Sequence, residues 1–276
     1  MNRSMRILDT GLMWARRNVA FTAAMLELHR AGRVPDTFRL HVYPRSVLVG
    51  RDQRLAAAVQ LQACRRNHVE VARRLTEGHA VYMSPGVLAW EVVADAGRFG
   101  ERAADASERT CRGIAAGLAR FGLSARFRPP NEVEIDGRRI ARVSGGMGGS
   151  TVLVQGWIAI DLDVAEMAAV LRPPSALRAV GASAAATSRA SRLTELSEWL
   201  GRIPSYDELN GLLAAGAAQC WGCELRAAEP TPEEVHLVDR LLEQGMGSDA
   251  FVETPFDTMP DGIASIARAY HAACPS

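Results

Sequence analysis

The sequence predicts an α/β protein whose mixed, largely antiparallel sheets are flanked by helices. Runs with apolar residues at every second position recur along the chain and indicate strands, and apolar residues at helical spacing stand between them. Turn residues join neighbouring strand-like runs more often than helical stretches do, so hairpins outnumber strand–helix–strand crossovers. This balance favours antiparallel pairing.

The first half of the chain combines helices with short strands. Each predicted strand ends at residues typical of turns, and the last helix of this half ends at Gly122, as a C-cap should. The predicted segments are a helix at 18–30, strands at 38–42 and 47–49, a helical stretch at 54–67, strands at 69–75 and 80–94 with a turn at 84–86, and an amphipathic helix at 107–122.

A hairpin opens the second half. "EIDGRRIARVSGG" at 134–146 contains Asp136-Gly137, which is typical of a type I′ turn because both central residues there take positive φ. The hairpin should span 131–143 and place Arg139 opposite Glu134. The glycine-rich "SGGMGGS" at 144–150 indicates a flexible connection, since a phosphate loop would lead into a helix and a strand at 151–163 follows instead.

Three later helices share a start signal, in which a capping residue precedes an acidic residue by three positions. These pairs are Asp163–Glu166, Ser205–Glu208 and Thr231–Glu234, the last with Pro232 at the first helical position. Pro173-Pro174 should end the first of these helices. Small residues at 175–191 indicate a mobile connection, and the tail contains only a weak helix at about 260–273.

Composition excludes several classes of protein. The chain has 276 residues, of which 48% are hydrophobic and 23% charged, and its net charge is +1. No global basic field would recruit nucleic acid, and no apolar run approaches the roughly 18 residues of a membrane span. No cleavable leader is evident at the N-terminus, so we expect a cytoplasmic protein without nucleic-acid or membrane partners.

The basic residues are all arginines. Lys and Arg together number 32, and no lysine occurs in the sequence. Biased genomic base composition explains such a preference without invoking function. Its chemical consequence is that no side-chain amine is present for a Schiff base, a general base or a lysine–phosphate contact.

Several segments, in order, resemble the lipoate–protein ligase A family, which shares a fold with octanoyltransferases and biotin protein ligases. The resemblance implies one ligase-like domain at 1–255 and a C-terminal tail at 256–276 with a possible short helix. The matching segments are "RILDTGLMWARRNVAFTAAM" (6–25), "VLVGRDQ" (47–53), "VEVARRLTEGHAVYMSPGVLAW" (69–90), "PNEVEIDGRRIARVSGG" (130–146), "VQGWIAIDLDVAEMAAVLRPP" (154–174) and "SRLTEL" (191–196).

The resemblance implies acyl transfer to a lysine of a small carrier domain. Members of the family activate lipoate or octanoate with ATP, or take the acyl group from a carrier. The implied ligands are lipoate or octanoate, with ATP and Mg²⁺ for a ligase, and no resident metal is expected. The implied partners are a lipoyl domain or a glycine-cleavage H-like protein, and possibly a partner subunit. The alternative is a catalytically silent member that binds an acyl-carrying domain or serves as a subunit.

The chain departs from the family where the chemistry is expected. The family lysine aligns with Arg139, which the resemblance places at the acyl phosphate or tetrahedral intermediate. The alternative for Arg139 is a surface pair with Glu134. Other departures are Glu77-Gly78-His79 for a triple glycine, Met83-Ser84 for His-Asp, Val154-Gln155-Gly156-Trp157 for the family's His-His-Gly-Thr, and Arg142 for a glycine.

The remaining predicted site residues follow from the same match. Glu77 would repel a carboxylate or phosphate unless Arg73, Arg74 or His79 neutralises it, and the alternative for Glu77 and His79 is an exposed turn. One of Arg73 and Arg74 would otherwise pack structurally, and Trp157 lines either an acyl tunnel or the core. The predicted substrate-binding residues are Arg73, Arg74, Thr76, Glu77, Gly78, His79, Ala80, Asn131, Gly156 and Trp157.

The five cysteines do not form a recognisable site. They are odd in number and scattered, which argues against a disulfide framework. Only Cys220 and Cys223 are close in sequence, and His236 has no second histidine at zinc-finger spacing. We interpret this pair as small apolar residues at a helix end. Cysteine-dependent octanoyltransferases use a nucleophilic cysteine in this fold, but none of the five matches that motif.

Overall fold

The alternating segments form two sheets in the computed structural model, which describes residues 4–100, 102–172 and 192–259. Each predicted strand run contains a strand, and the strands Ala125–Arg128 and Glu224–Ala227 were not predicted. The strands are β1 Ser4–Leu12, β2 Thr37–Val42, β3 Ser46–Val49, β4 Glu70–Arg73, β5 Val81–Met83, β6 Val87–Asp95, β7 Ala125–Arg128, β8 Glu132–Ile135, β9 Arg138–Gly148, β10 Thr151–Ala159 and β11 Glu224–Ala227.

The helices flank these sheets. A π-turn at Leu242–Met246 and a 3₁₀ turn at Phe256–Thr258 follow the last long helix. The helices are α1 Ala15–Arg30, α2 Leu55–Ala58, α3 Leu61–Arg66, α4 Ala96–Phe99, α5 Ala103–Ala119, α6 Val164–Val170, α7 Leu196–Leu200, α8 Tyr206–Trp221, α9 Pro232–Leu241 and α10 Asp249–Glu253.

The larger sheet has eight strands in the order β11-β1-β2-β6-β10-β9-β8-β7. The pairs β11–β1 and β1–β2 are parallel, and every later pair in this order is antiparallel. The smaller sheet has the order β4-β3-β5, with one parallel and one antiparallel pair. The predicted class, mixed and largely antiparallel, is therefore confirmed.

Local signals predicted the hairpin turn and three helix caps correctly. Asp136 (φ 49°) and Gly137 (φ 74°) both take positive φ, as a type I′ turn requires. The three predicted caps are also present: the side chain of Asp163, Ser205 or Thr231 accepts a hydrogen bond from the backbone N–H three residues later.

Several predicted boundaries were wrong. Helix α1 begins at Ala15 rather than 18, α5 begins at Ala103 rather than 107, and the strand predicted at 151–163 ends at Ala159. At the start of α5, Asp105 accepts hydrogen bonds from the backbone N–H and the guanidinium of Arg102. The stretch 144–150 is not a flexible connection, since β9 continues through it to Gly148. Gly145 permits this close pairing, because a Cβ there would lie 2.4 Å from the carbonyl oxygen of Leu153.

The predicted connection at 175–191, the prolines at 173–174 and the predicted tail helix lie outside the described residues. The division at residue 255 stays a prediction. Within the described part, Phe256 and Met259 are buried in the same apolar cluster as α1. No helix of the described ranges combines the length and the apolar character needed to cross a membrane.

Candidate functional site

A cavity of about 420 Å³ lies between the two sheets. This volume falls within the range of small-molecule pockets. The large sheet contributes residues from β2, β6, β9 and β10, and the small sheet contributes β3, β5 and the loop that precedes β5. Helix α5 adds Ala103, Ala104 and Ser107 at one side. The cavity is therefore a space that neither sheet forms alone.

The first row of residues across the floor is polar. Cross-strand register places Arg39, Glu91, Gln155 and Ser144 side by side on one face of the large sheet. Arg39 and Glu91 form an ion pair of 2.8 Å, and both side chains are fully buried. Gln155 donates from Nε2 to Glu91 at 2.9 Å and accepts from the hydroxyl of Thr76 at 2.9 Å. Because Gln155 is bonded on one side to a fully buried ion pair and on the other to buried Thr76, this network fixes its amide at the cavity wall.

The second row has two apolar residues in its middle and a nitrogen-bearing side chain at each end. His41, Ala89, Trp157 and Arg142 are consecutive cross-strand partners, and all four line the cavity. His41 is 2% exposed, and burial, with a contribution from Arg39, holds the pKa of its imidazole well below the usual range. The imidazole is therefore neutral at physiological pH.

The roof of the cavity is apolar. Leu48 and Val81 are cross-strand partners in the small sheet, and Met83 lies two residues further along β5 on the same face. These three side chains, with Tyr43 and Ala89, belong to one apolar cluster, and Trp157 packs against it. The space between floor and roof is thus suited to a hydrocarbon chain.

Three guanidinium groups line the cavity: those of Arg74, Arg139 and Arg142. Burial lowers the pKa of Arg74 to about 10, which leaves it charged at neutral pH, and the proximity of Arg142 lowers it further. Burial and the proximity of Arg139 lower the pKa of Arg142. Mutual repulsion of buried cations indicates a site that an anion would stabilise.

Arg142 differs from the other two because its guanidinium makes no direct hydrogen bond or ion pair with any described residue, although the charge of Glu132, its cross-strand partner, partly offsets the lowering of its pKa by burial. Arg74 donates to the backbone carbonyl oxygens of Leu48 and His79, both at 3.0 Å. Arg139 donates to a carboxylate oxygen of Glu132 at 2.8 Å. Within the described residues the half-buried side chain of Arg142 makes no hydrogen bond or ion pair. Arg142 is therefore the group best placed to receive an anion.

The side-chain partner of Arg139 is not the residue predicted. Arg139 does lie opposite Glu134 in the backbone register. However, a bulge between Val133 and Glu134 shifts the pairing, and the guanidinium binds Glu132 instead. Glu134 pairs with Arg126 at 2.8 Å. The alternative considered for Arg139, a surface pair with Glu134, is therefore not formed, and Arg139 lies along the cavity wall, 5.8 Å from the centre of the Trp157 ring.

Glu77 is neutralised by a residue that was not predicted. Arg51 donates to a carboxylate oxygen of Glu77 at 2.9 Å, whereas Arg74 binds the carbonyl oxygen of the Glu77 backbone. The Glu77 side chain is 55% exposed, and Gly78 and His79 beside it are also exposed. Gly78 takes φ 99°, a conformation that favours glycine. The loop 77–79 therefore forms an exposed rim of the cavity, and Arg51 balances the negative charge of Glu77 there.

Two predicted site residues lie outside the cavity wall. Arg73 is fully buried, and its guanidinium donates to backbone carbonyl oxygens of Gly50, Arg51, Gln53 and Val252 at 2.7–3.0 Å. Thr76 is also buried, and its hydroxyl donates a hydrogen bond to the side-chain oxygen of Gln155. The predicted residues that do line the cavity are Arg74, Glu77, Gly78, His79, Ala80, Asn131, Arg139, Gly156 and Trp157.

Gly156 has a steric role in shaping the wall. A Cβ at this position would lie 2.1 Å from the ring of Trp90, so only glycine lets that indole pack against β10. Asn131 supports the adjacent strand, since its Nδ2 donates to the carbonyl oxygen of Val143 at 2.7 Å.

Sequence reasoning missed Arg142 and His41 as site residues. The substitution of a family glycine by arginine was the available signal for Arg142. Nothing in the local sequence pointed to His41, because its role depends on which strands lie beside β2. The hydrogen-bond partners of Gln155 could not be predicted either, since Glu91 is 64 residues away along the chain.

The described cysteines lie outside the cavity wall. Cys64 and Cys111 are buried, Cys220 and Cys223 are partly buried, and burial raises the pKa of all four thiols. A raised pKa disfavours the thiolate that nucleophilic catalysis requires. No cluster of three or more His, Cys, Asp or Glu suited to a metal ion occurs among the residues that the structure describes.

The cavity is thus an apolar trough with cationic groups at one side, and it suits an apolar chain with an anionic or polar head. Residues 15–217 match the family model of the lipoyl protein ligase A/B catalytic domain. The chain belongs to this family of catalytic domains, and so to enzymes of the lipoate-protein ligase and octanoyltransferase type.

Octanoyltransferases are among the relatives of this chain. The octanoyltransferase LipM of Symbiobacterium thermophilum is 27% identical over 272 residues, which cover 90% of this chain and 98% of the relative.

Solved structures show the same fold. The bipartite lipoate protein ligase of Thermoplasma acidophilum, described with its E2 lipoyl domain, superposes with a TM-score of 0.78 at 23% identity, covering 91% of this chain and 97% of the other. A lipoate-protein ligase A bound with ATP has a TM-score of 0.77 at 20% identity, covering 92% and 99%. The predicted ligase-like architecture is thereby confirmed.

Proposed function

We propose that this chain transfers a lipoyl or octanoyl group to a lysine of a small carrier domain. The observation that carries the proposal is the trough between the sheets, which joins an apolar space for an acyl chain to the three arginines at one side. Family membership and the named relatives support the same activity. A lipoyl domain or a glycine-cleavage H-like protein is the proposed acceptor.

In this mechanism the acyl chain lies between the floor residues Ala89 and Trp157 and the roof, with its carbonyl beside Arg139 and Arg142. The neutral amine of the acceptor lysine attacks that carbonyl. The new C–N bond forms, the bond to the leaving group breaks, and the amine loses a proton to the leaving group or solvent. The guanidinium groups stabilise the negative charge that develops on the carbonyl oxygen. Arg139 takes the place that the family gives to lysine.

The acyl donor decides between a transferase and a ligase. An acyl thioester is already activated, so its transfer needs no ATP. A free acid must first be activated, and the arginines suit the phosphate of an acyl adenylate. The described residues offer groups for an anion and no cluster of three or more metal-ligating side chains. Direct attack by the acceptor amine also requires no nucleophilic cysteine.

Intact mass spectrometry of the carrier tests the proposal. The chain is incubated with a lipoyl domain or an H-like protein and either an octanoyl thioester or lipoate with ATP and Mg²⁺. We expect one acyl adduct on the carrier, and a carrier whose acceptor lysine is replaced by arginine should gain none. An adduct in the thioester arm alone identifies a transferase, and an adduct in the ATP arm alone identifies a ligase.

A second candidate is a silent member that binds an acyl-carrying domain without transferring the group, or that serves as a subunit. The absence of lysine from the whole sequence favours it, because the family's working amine is missing. Tight carrier binding without an adduct in either arm would support this candidate and contradict the first. An adduct that forms only when a partner subunit is added would identify a two-chain enzyme.

A further inference from the structure

The hydrogen bonds at the cavity wall fix the orientation of the Gln155 amide. The carboxylate of Glu91, which is paired with Arg39, can only accept, so the Gln155 atom 2.9 Å from it is the nitrogen Nε2. The side-chain oxygen of Gln155 therefore faces Thr76, whose hydroxyl donates to it at 2.9 Å. The single hydroxyl proton of Thr76 is used in this bond.

This direction is passed on to Ser144, a partly exposed residue that lines the cavity. The hydroxyl oxygens of Ser144 and Thr76 are 3.1 Å apart, and in an isolated pair either hydroxyl can donate. Because Thr76 donates to Gln155, Ser144 donates to Thr76. The Thr76 oxygen also accepts from Nε of Arg74 at 3.2 Å, so its bonding capacity is filled. Ser144 thus has no proton left for a ligand and offers only lone pairs.

Ser144 lies next to Arg142 on the cavity side of β9. The two residues are two positions apart, and their partners on β10 are Gln155 and Trp157. Residues at this spacing point to the same face of a strand, with Cα atoms about 7 Å apart. A guanidinium group only donates hydrogen bonds. This end of the trough therefore combines cationic donors with an adjacent neutral acceptor.

The two reactants of the proposed transfer differ in what they offer to these groups. The head of an acyl group carries carbonyl or carboxylate oxygens, which accept and so suit the guanidinium groups. The neutral amine of the attacking lysine carries N–H groups, which need an acceptor. We propose that Ser144 accepts a hydrogen bond from the acceptor lysine's amine and directs its lone pair to the acyl carbonyl. The inference rests on the proposed function and adds a residue that contacts the acceptor.

The same hydrogen bonds exclude a role for Ser144 as the nucleophile. Its proton points to Thr76, and the next group, the amide of Gln155, is not a base at neutral pH. Ser144 therefore neither gives up nor takes a proton during the transfer, and the amine proton goes to the leaving group or solvent as described above. Its contribution is the orientation of the attacking nitrogen, which lowers the barrier to reaction.

Calorimetric titration of the whole chain with octanoate tests the fixed direction of the Ser144 hydroxyl without requiring turnover. Octanoate is ionised at neutral pH and carries only acceptors. Ser144→Ala should bind octanoate as tightly as the wild type to within about threefold, or more tightly, because no donor is lost. A larger loss of affinity would show that Ser144 donates to the carboxylate, and it would overturn the inference.

Rates of carrier acylation test the contact with the amine. The donor is octanoyl thioester or lipoate with ATP and Mg²⁺, whichever acylates the carrier. Ser144→Ala should lower the rate at saturating donor about tenfold, as expected for one net hydrogen bond, and leave the KM for the donor unchanged. Ser144→Thr keeps the hydroxyl and should restore most of the rate. Ser197→Ala is the matched control, because its hydroxyl donates to Asp161 outside the cavity wall.

The outcomes separate this inference from the proposed function. Acylation by Ser144→Ala at the wild-type rate, or an effect confined to the KM for the donor, would refute the contact with the amine and leave acyl transfer standing. Absence of an adduct with the wild type would refute the transfer and this inference together. Failure of the wild type to bind octanoate would overturn the assignment of the trough as an acyl site.

Discussion

Arg139 binds Glu132, not the residue Glu134 that it faces across the hairpin. The bulge that causes this change leaves one guanidinium nitrogen held by a carboxylate and Nε without a partner among the described residues. The position and charge of the group are thus fixed before a ligand arrives. A preorganised cation of this kind stabilises charge that develops during a reaction more effectively than a mobile one.

Replacing Arg139 by alanine should lower the rate of carrier acylation by about 10²–10³-fold, because one preorganised charge-stabilising group is lost. Binding of the carrier should persist, since the substitution lies inside the cavity. Initial rates from mass spectrometry measure the effect. Arg126→Ala is the matched control, because this exposed arginine pairs with Glu134 outside the cavity. Unchanged acylation by Arg139→Ala would remove the residue from the mechanism.

Replacing Arg142 by methionine should weaken binding of the acyl donor by about tenfold or more, the value of a hydrogen bond to a charged group. Stability should stay the same or rise, since a half-buried charge that makes no direct ion pair and is repelled by Arg139 is removed. The dependence of rate on donor concentration and the chemical denaturation midpoint measure the two effects. Arg138→Met is the control, because Arg138 binds Glu198 outside the cavity. A large loss of stability in Arg142→Met would show that Arg142 has a structural partner.

Replacing Glu91 by alanine should destabilise the protein by about 3–5 kcal/mol, because Arg39 is left as an unpaired buried charge. The free energy of unfolding in urea measures this loss. Glu224→Ala removes an ion pair with Arg226 whose side chains are 63% and 66% exposed, and it should change stability very little. Similar midpoints for the two variants would mean that water reaches the Arg39–Glu91 pair.

Stability should fall in acid through Glu234, whose buried carboxylate binds Arg6 and caps its own helix. Burial alone raises the pKa of this carboxyl, but the hydrogen bonds from Arg6 and Thr231 outweigh it, and the net pKa is below the usual range. This stabilisation is complete above the unfolded pKa of about 4.3 and is lost as pH falls through the lower folded value. Unfolding midpoints between pH 7 and pH 3 should therefore fall less steeply below about pH 4.3 in Glu234→Gln than in the wild type. Parallel curves would contradict the assignment.

Local sequence signals predicted the hairpin turn and the helix caps, because each depends on residues at most three positions apart. Asp136-Gly137 fixes the turn by its φ angles, and Thr231 with Glu234 fixes a helix start by two reciprocal bonds. The resemblance to a family predicted the order of the segments and nine of the residues that line the cavity.

The interactions that were not predicted are non-local. The choice of Glu132 over Glu134 depends on a bulge that alternation does not encode. Arg51 reaches Glu77 across 26 residues, and His41 enters the cavity only because β6 lies beside β2. The sequence also could not show which of the two adjacent arginines lines the cavity. Arg73 is held away from it by backbone carbonyl groups of distant segments, whereas Arg74 lies at the cavity wall.

The guanidinium of Arg73 joins the loop at 50–53 to the carbonyl oxygen of Val252, which lies 179 residues after Arg73 in the chain. During synthesis the ribosome releases the loop and Arg73 long before it releases Val252, and domains form as their segments emerge. This buried contact therefore forms late, and until residue 252 has emerged the nascent chain leaves two of the donors of Arg73 without their final acceptor.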